Sequence, residues 1–343
     1  MKILIAIIIF SFIIIFHELG HYSLARLCDV KVNEFQLGLG PRLFGIKRGE
    51  TTWSLHLLPF GGACAMEGED EASDDERAFN KKNVWQRIAI VFAGPFFNFI
   101  LAYILAVVII AVMGFDVPVV TSVMDGYPAQ EEGLEAGDRI VALDNYKVHF
   151  YREIAVYTYM HPGKEVNVTY DRDGQREQVR ITPVYDKDSG RYILGMQSQR
   201  DYQKGGILTT LKYGLYEIRY QIYITIQSLK MLVTRQIAMN EVSGPVGIVK
   251  VIGDTYESSV RDGLMYVFMN LLSISVLLSA NLGVMNLLPI PALDGGRLLI
   301  YLIELIRGKQ MDETVEGYIN TAGFMALMLL MVVILFNDII KLF

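Results

Sequence analysis

Two histidines and a glutamate stand at helical spacing inside an apolar stretch near the start of the chain. His17, Glu18 and His21 follow the uncharged run 3–16. On a helix, His17 and His21 are one turn apart on the same face, so both imidazoles can bind one zinc ion with Glu18 beside them as general base. Ionisable side chains at membrane depth cost several kcal/mol, so they are functional candidates by default. The first hypothesis is a zinc-dependent protease built into a membrane.

The third zinc ligand has to come from a distant part of the chain. A catalytic zinc usually takes three protein ligands and leaves one position open for water. Asp294 is the candidate, because it lies between apolar segments and follows Pro289 and Pro291, which break a helix locally. A broken backbone beside a buried carboxylate indicates a cavity rather than a lipid-facing surface. Asp294 could instead only cap the next helix, and the histidine pair favours the ligand role.

The composition restricts the classes of protein that this chain can belong to. It has 343 residues, of which 52% are hydrophobic, and its mean hydropathy is +0.33. These values indicate a membrane protein with one modest soluble part. The net charge of −6 and the lack of a long basic run argue against nucleic acid as a partner. Cys28 and Cys64 are the only cysteines, too few for a disulfide framework or a cysteine-based zinc site.

Four apolar segments are long enough to cross a lipid bilayer, which requires about 20 residues. They are 3–24, 85–115, a segment within 264–306 that the prolines interrupt, and 321–340. The first segment also resembles a signal peptide, but no small-residue cleavage site follows it, so we expect an uncleaved span. The loop between the first two segments is rich in Lys and Arg, which predicts that it is cytoplasmic. Both termini and residues 116–261 are then extracytoplasmic.

Two regions outside the spans predict β-structure. Residues 32–66 combine β-formers with punctuating glycines and indicate β-hairpins. Their high apolar content fits either a segment that re-enters the membrane beside the active site or a small cytoplasmic sheet. Residues 117–184 predict a compact α+β domain with a hairpin turn at 171–175. Residues 185–263 predict a linker with amphipathic helices, of which 206–238 suits an interfacial helix.

Four motifs make the chain resemble the site-2 protease family of intramembrane zinc proteases, in its bacterial RseP/RasP-like branch. They are His17-Glu18-Leu19-Gly20-His21 and the segments 92–98, 243–247 and 286–296. Through Pro128-Ala129 and the segment 132–140, the soluble region resembles a single PDZ domain. Longer family members carry two such domains in tandem, and this chain has room for one. The implied fold is a polytopic α-helical membrane protein with four transmembrane helices, a membrane-associated β-hairpin and an inserted α+β PDZ domain.

The resemblance implies roles at the zinc site. His17, His21 and Asp294 would bind Zn²⁺, and the protease core would consist of residues 1–115 and 264–343. Glu18 would take a proton from the zinc-bound water that attacks the scissile carbonyl, and would pass it to the leaving amine. Asn286 would position the substrate backbone near the metal. The rival interpretations are a PDZ scaffold with a degenerate protease core and a zinc transporter.

The resemblance also implies partners. Pro289 and Pro291 are expected beside the bound substrate, while Gly61 and Gly62 would hold it as an added strand. The expected substrates are single-span membrane proteins such as anti-sigma factors, or remnant signal peptides, after a first cut by a site-1 protease. The PDZ domain would either exclude substrates with bulky external domains or bind a newly exposed C-terminus. The expected location is the bacterial cytoplasmic membrane, with the active site towards the cytoplasm.

Overall fold

The computed structural model describes residues 2–69, 71, 73–198, 202–237 and 243–341. The chain forms two compact units, a membrane unit of Met1–Ala106 with Ile237–Phe343 and an inserted unit of Val107–Gln236. The elements in chain order are α1 (Lys2–Leu27), β1 (Val32–Arg48), β2 (Thr51–Met66), α2 (Val84–Met113), β3 (Ser122–Val123), α3 (Pro128–Glu131), β4 (Arg139–Leu143), β5 (Tyr146–Lys147), α4 (Tyr151–Met160), β6 (Val166–Arg172), β7 (Gln175–Ile181), β8 (Val184–Asp186), β9 (Arg191–Ile193), β10 (Met196–Gln197), α5 (Ile207–Val233), α6 (Pro245–Val260), α7 (Leu264–Asn286), α8 (Asp294–Arg307) and α9 (Glu313–Ile340).

Among the described residues, four helices are long and apolar enough to cross a membrane. They are α1, α2, α7 and the part Thr314–Ile340 of α9. The predicted number of spans is therefore confirmed. The fourth helix begins earlier than the predicted segment 321–340, because the polar residues at its start still continue the helix after the Asp312 cap, whose carboxylate accepts from the Thr314 and Val315 N–H groups.

The long apolar stretch after residue 264 is two helices rather than one. Pro289 and Pro291 lack the N–H groups that a continuous helix needs, so α7 ends at Asn286 and a turn leads to α8. The predicted break is confirmed. Asp294, which the prediction assigned to the third span, lies instead at the first residue of α8.

The hairpin of β1 and β2 folds back on itself into a small antiparallel sheet. Phe35 pairs with Trp53 on one side and with Cys64 on the other, and the other pairs continue this doubled register. The order of the paired segments across the sheet is 42–48, 51–56, 34–37 and 62–66. Large apolar side chains of the outer segment 42–48 are exposed, with Leu43 and Phe44 both 60% accessible.

The inserted unit is built around a four-stranded antiparallel sheet in the order β5-β4-β6-β7. Asp173 and Gly174 have positive φ at the predicted hairpin turn between β6 and β7. Beyond the predicted domain boundary at residue 184, β10 pairs with β3 and so returns the chain to the same unit. The helix α5 packs on this unit through Tyr223, and Arg219 donates to Glu153 Oε1 at 2.9 Å. The packing of α5 on this unit explains why polar residues of the helix are partly buried.

Candidate metal centre

Three residues from opposite ends of the chain converge in the membrane unit. His17 Nε2 lies 3.2 Å from Asp294 Oδ2, and His21 Nε2 lies 3.6 Å from Asp294 Oδ1. The two Nε2 atoms are 3.3 Å apart. All three donor atoms therefore fall within 4.8 Å of one another. Two imidazole nitrogens and one carboxylate oxygen are a usual ligand set of a catalytic zinc that keeps an open position.

The donor atoms of this cluster fit a cation. Asp294 Oδ2 is buried, and no described group donates a hydrogen bond to it. A buried carboxylate oxygen without a donor costs free energy unless a positive charge satisfies it. His17 and His21 are each 8% exposed, so little water reaches the cluster to take the place of a cation. The residues present are therefore suited to holding a zinc ion.

Helices α1 and α2 approach each other so closely that only glycine fits at two positions. A Cβ on Gly20 would lie 2.3 Å from Ala93 O, and a Cβ on Gly94 would lie 2.3 Å from His21 Nε2. This approach brings His21 Nδ1 to 3.0 Å from Ile90 O. Because a carbonyl oxygen only accepts, Nδ1 carries the hydrogen and Nε2 keeps its lone pair for a metal.

An amide that the sequence argument left without a role lies behind the other imidazole. Asn98 is fully buried in α2, and its Nδ2 lies 3.1 Å from His17 Nδ1. On the other side of the ring, Asn286 Nδ2 lies 3.3 Å from His17 Nε2. An amide inside an apolar span is the sequence signal that singles out Asn98. Gly94 carries no such signal, because its role depends on the helix crossing.

The turn before α8 is packed tightly enough to fix Asp294. A Cβ on Gly295 would lie 2.2 Å from Leu288 O, so the start of α8 rests directly on the turn. At the other end of the helix, Arg87 Nη2 of α2 donates to Glu304 Oε2 at 2.6 Å in a buried ion pair. Asp294 is thus carried by a helix that is held at both ends.

Glu18 lies beside the edge of the folded-back hairpin. A Cβ on Gly62 would lie 3.1 Å from Glu18 Cγ and 3.0 Å from Ile14 Cγ2. The backbone N–H of Cys64 lies close to the Glu18 carboxylate. The segment 62–66 has the segment 34–37 on one side, so its other side faces the candidate base.

The remaining predicted substrate residues lie at two places. Gly61, with φ of +88°, lies immediately before the edge segment, and a Cβ there would lie 2.7 Å from Leu39 Cγ, whereas Gly62 is the glycine that faces Glu18. Pro289 and Pro291 lie in the turn between α7 and α8. Pro291 packs against α9, because a Cβ on Gly323 would lie 2.4 Å from its Cβ. The two prolines therefore shape the turn that carries Asp294.

Comparison with known proteins is consistent with this geometry. Residues 5–330 match peptidase family M50. A provisionally named zinc metalloprotease of Clostridium acetobutylicum is 41% identical over 99% of this chain and 97% of its own. Zinc metalloprotease RasP of Bacillus licheniformis is 32% identical, and regulator of sigma-W protease RasP of Bacillus subtilis is 31% identical, each over 98% of both chains. Those alignments span 420 positions, so the Bacillus proteins carry insertions relative to this chain.

Several solved structures match part of the chain. One of them, the PDZ domain of an SdrC-like protein from Listeria monocytogenes, is 29% identical and covers 24% of this chain and 87% of its own. Its TM-score is 0.22, at which the likeness carries no argument about the fold.

Proposed function

We propose that this chain, which belongs to peptidase family M50 and is a zinc metalloprotease of the site-2 type, cuts peptide bonds inside the membrane-spanning segments of other proteins. The observation that carries the proposal is the convergence of His17, His21 and Asp294 beside Glu18, with both histidines on an apolar helix long enough to span a membrane. A water-consuming reaction at this place needs a base, a metal and an unfolded peptide.

The residues around the metal centre divide the work of hydrolysis. When bound by His17, His21 and Asp294, zinc supplies a Lewis acid that polarises a carbonyl and lowers the pKa of a water molecule. Glu18 accepts a proton from the attacking water and donates it to the nitrogen of the leaving amine as the C–N bond breaks. Asn286 has an amide N–H at the site that can donate to the substrate carbonyl and hold it in place.

The edge segment 62–66 is the proposed place where the substrate is held extended. A transmembrane helix satisfies its backbone groups internally, so cleavage requires new partners for the groups that unwinding frees. An added strand supplies them, and the free side of this segment faces Glu18. The exposed apolar residues of the hairpin favour contact with the membrane over a purely cytoplasmic sheet.

A proline scan tests this holding role. Single prolines across 61–66 each remove one N–H, and we expect cleavage to fall where that N–H faces the substrate while zinc stays bound. The same scan across 42–48, at the opposite edge of the sheet, is the control. Unchanged cleavage throughout 61–66 would count against strand addition.

For the inserted unit we propose the PDZ assignment and a gating role. A PDZ domain takes peptides as a strand added to an exposed edge. The far side of β10 is already engaged, since the Tyr151 hydroxyl of α4 donates to Met196 O at 2.7 Å. This contact favours exclusion of bulky substrates over capture of a peptide. Tyr151→Phe frees Met196 O, and the gating role predicts that the cleavage of trimmed substrates stays unchanged, whereas a gain in their cleavage would favour peptide capture at this edge.

The proposed substrates are single-span membrane proteins, such as anti-sigma factors, or remnant signal peptides that a site-1 protease has already shortened. One relative is named as a regulator of sigma-W protease, which motivates the first class. The proposed location is the bacterial cytoplasmic membrane, with the active site towards the cytoplasm and the inserted unit outside. A protease added outside intact cells should cut the inserted unit, and protection of the unit there would contradict that orientation.

The experiment that tests the function replaces the base alone. Glu18→Gln removes the proton acceptor and leaves the three ligands, so we expect zinc content to stay and cleavage of a reconstituted single-span peptide to fall about 100- to 10,000-fold. The control is Glu132→Gln, the same change at an exposed position of the inserted unit. Wild-type cleavage by Glu18→Gln would refute the mechanism, and zinc flux into liposomes without cleavage would favour the transporter.

A further inference from the structure

We infer that Asn98 is a positioning residue that keeps the hydrogen of His17 on Nδ1 and so turns the lone pair of Nε2 towards the metal. The inference rests on the proposed zinc chemistry and adds a residue to it. Asn98 is a polar side chain that contacts His17 Nδ1, the imidazole nitrogen on the side away from the candidate metal.

Burial and the lack of a partner for its oxygen single out Asn98. Its side chain is 0% exposed, in the middle of the apolar helix α2. The amide lies 3.1 Å from His17 Nδ1, and its Oδ1 atom has no hydrogen-bond partner among the described groups. A buried amide oxygen without a donor costs about 1–3 kcal/mol, so its retention at this place needs a reason.

The reason follows from the two nitrogens of the imidazole. His17 Nε2 faces Asp294 and His21, the side on which a metal would be bound. A nitrogen that ligates a metal carries no hydrogen, so the hydrogen of the neutral ring must sit on Nδ1. Nδ1–H then needs an acceptor, and a 180° rotation of the Asn98 amide presents Oδ1 to it.

The backbone of Asn98 is fixed independently of its side chain. Ser279 of α7, which is 0% exposed, donates its hydroxyl to Asn98 O at 2.8 Å. For the second imidazole, the acceptor at Nδ1 is the backbone carbonyl of Ile90, which no substitution removes. Asn98 is therefore the position at which mutation can alter the orientation of one ligand without touching any of the three.

The experiment measures zinc affinity of the full-length chain in detergent by competition with a chelator of known affinity. Asn98→Leu keeps the shape and removes the acceptor, and we expect zinc to bind about 10- to 100-fold more weakly. Asn98→Asp presents an oxygen in either orientation, so we expect affinity equal to or tighter than wild type. The matched control is Ser275→Ala, which removes a buried hydroxyl that donates to Leu271 O within α7.

The outcomes separate this inference from the proposed function. Wild-type affinity in Asn98→Leu would overturn the positioning role and leave the zinc site standing. Equal weakening in Asn98→Asp and Asn98→Leu would overturn it as well, because loss of local packing would then explain both. If the wild-type chain binds no zinc and His17→Ala changes nothing, the metal centre itself is refuted.

Discussion

Gly94 is the position at which the structure makes its sharpest prediction. A Cβ there would lie 2.3 Å from His21 Nε2, 2.4 Å from His21 Cε1 and 2.8 Å from His17 Cε1. Non-bonded heavy atoms approach to about 3.5 Å at their optimum, so His21 would have to retreat by about 1 Å after Gly94→Ala. Gly20 prevents the opposite adjustment, because α1 and α2 already touch there.

The expected loss of zinc binding and cleavage in Gly94→Ala follows from the narrow range of distances at which a metal holds its ligands. Ligand distances at a metal site vary by only about 0.2 Å, so a shift of about 1 Å removes His21 from the ligand set. A misplacement of that size at a reacting centre costs about 100-fold in rate, or about 2.7 kcal/mol. Alanine is the better helix former by about 1 kcal/mol, so general unfolding of α2 is not the expected cause.

The assay compares zinc affinity and peptide cleavage in Gly94→Ala with those in Gly317→Ala. Gly317 lies in α9, and a Cβ there would meet nothing within 4 Å, so this variant makes the same chemical change without a clash. We expect zinc binding and cleavage to fall together in Gly94→Ala and to stay unchanged in Gly317→Ala. Wild-type values in Gly94→Ala would refute the placement of the imidazoles against α2.

Two further predictions concern stability. Burial lowers the pKa of His149 from 6.5 to about 4, aided by the Arg219 charge, so the stability that its neutral form contributes is present above pH 6.5 and is lost as the pH falls towards 4. His149→Phe can keep the stacking on Tyr216 and should make the free energy of unfolding depend less on pH between 6.5 and 4. An unchanged pH dependence would contradict this assignment. The Asp338 carboxylate accepts the Gly244 N–H at 3.0 Å and caps α6, so Asp338→Ala should lower the unfolding free energy by about 1 kcal/mol, and an unaltered thermal midpoint would argue against the cap.

The three candidate metal ligands were accessible to sequence reasoning because their signals are local or strongly contrasting. His17 and His21 follow helical spacing, and Asp294 is a charge after two prolines in apolar sequence. Asn98 carried a signal, as an amide in an apolar helix, but its partner could not be named because the sequence of α2 does not indicate which face meets α1. Gly94 carried no signal for the same reason.

The fold shows the same division between local and long-range information. The four apolar helices and the turn at 171–175 follow from composition and turn residues. The pairing of β10 with β3 joins residues more than 70 positions apart, and the sequence did not indicate it because only tertiary packing decides such a pair. The folded-back register of β1 and β2 was likewise beyond the alternation pattern, which predicts strands and not their order.

The most direct test of the central claim is anomalous diffraction at the zinc absorption edge from crystals of the full-length protein. We expect one strong peak about 2 Å from the Nε2 atoms of His17 and His21 and from a carboxylate oxygen of Asp294. A proteolytically active protein whose zinc peak lies away from these three side chains, or whose Asp294 is remote from the metal, would contradict it.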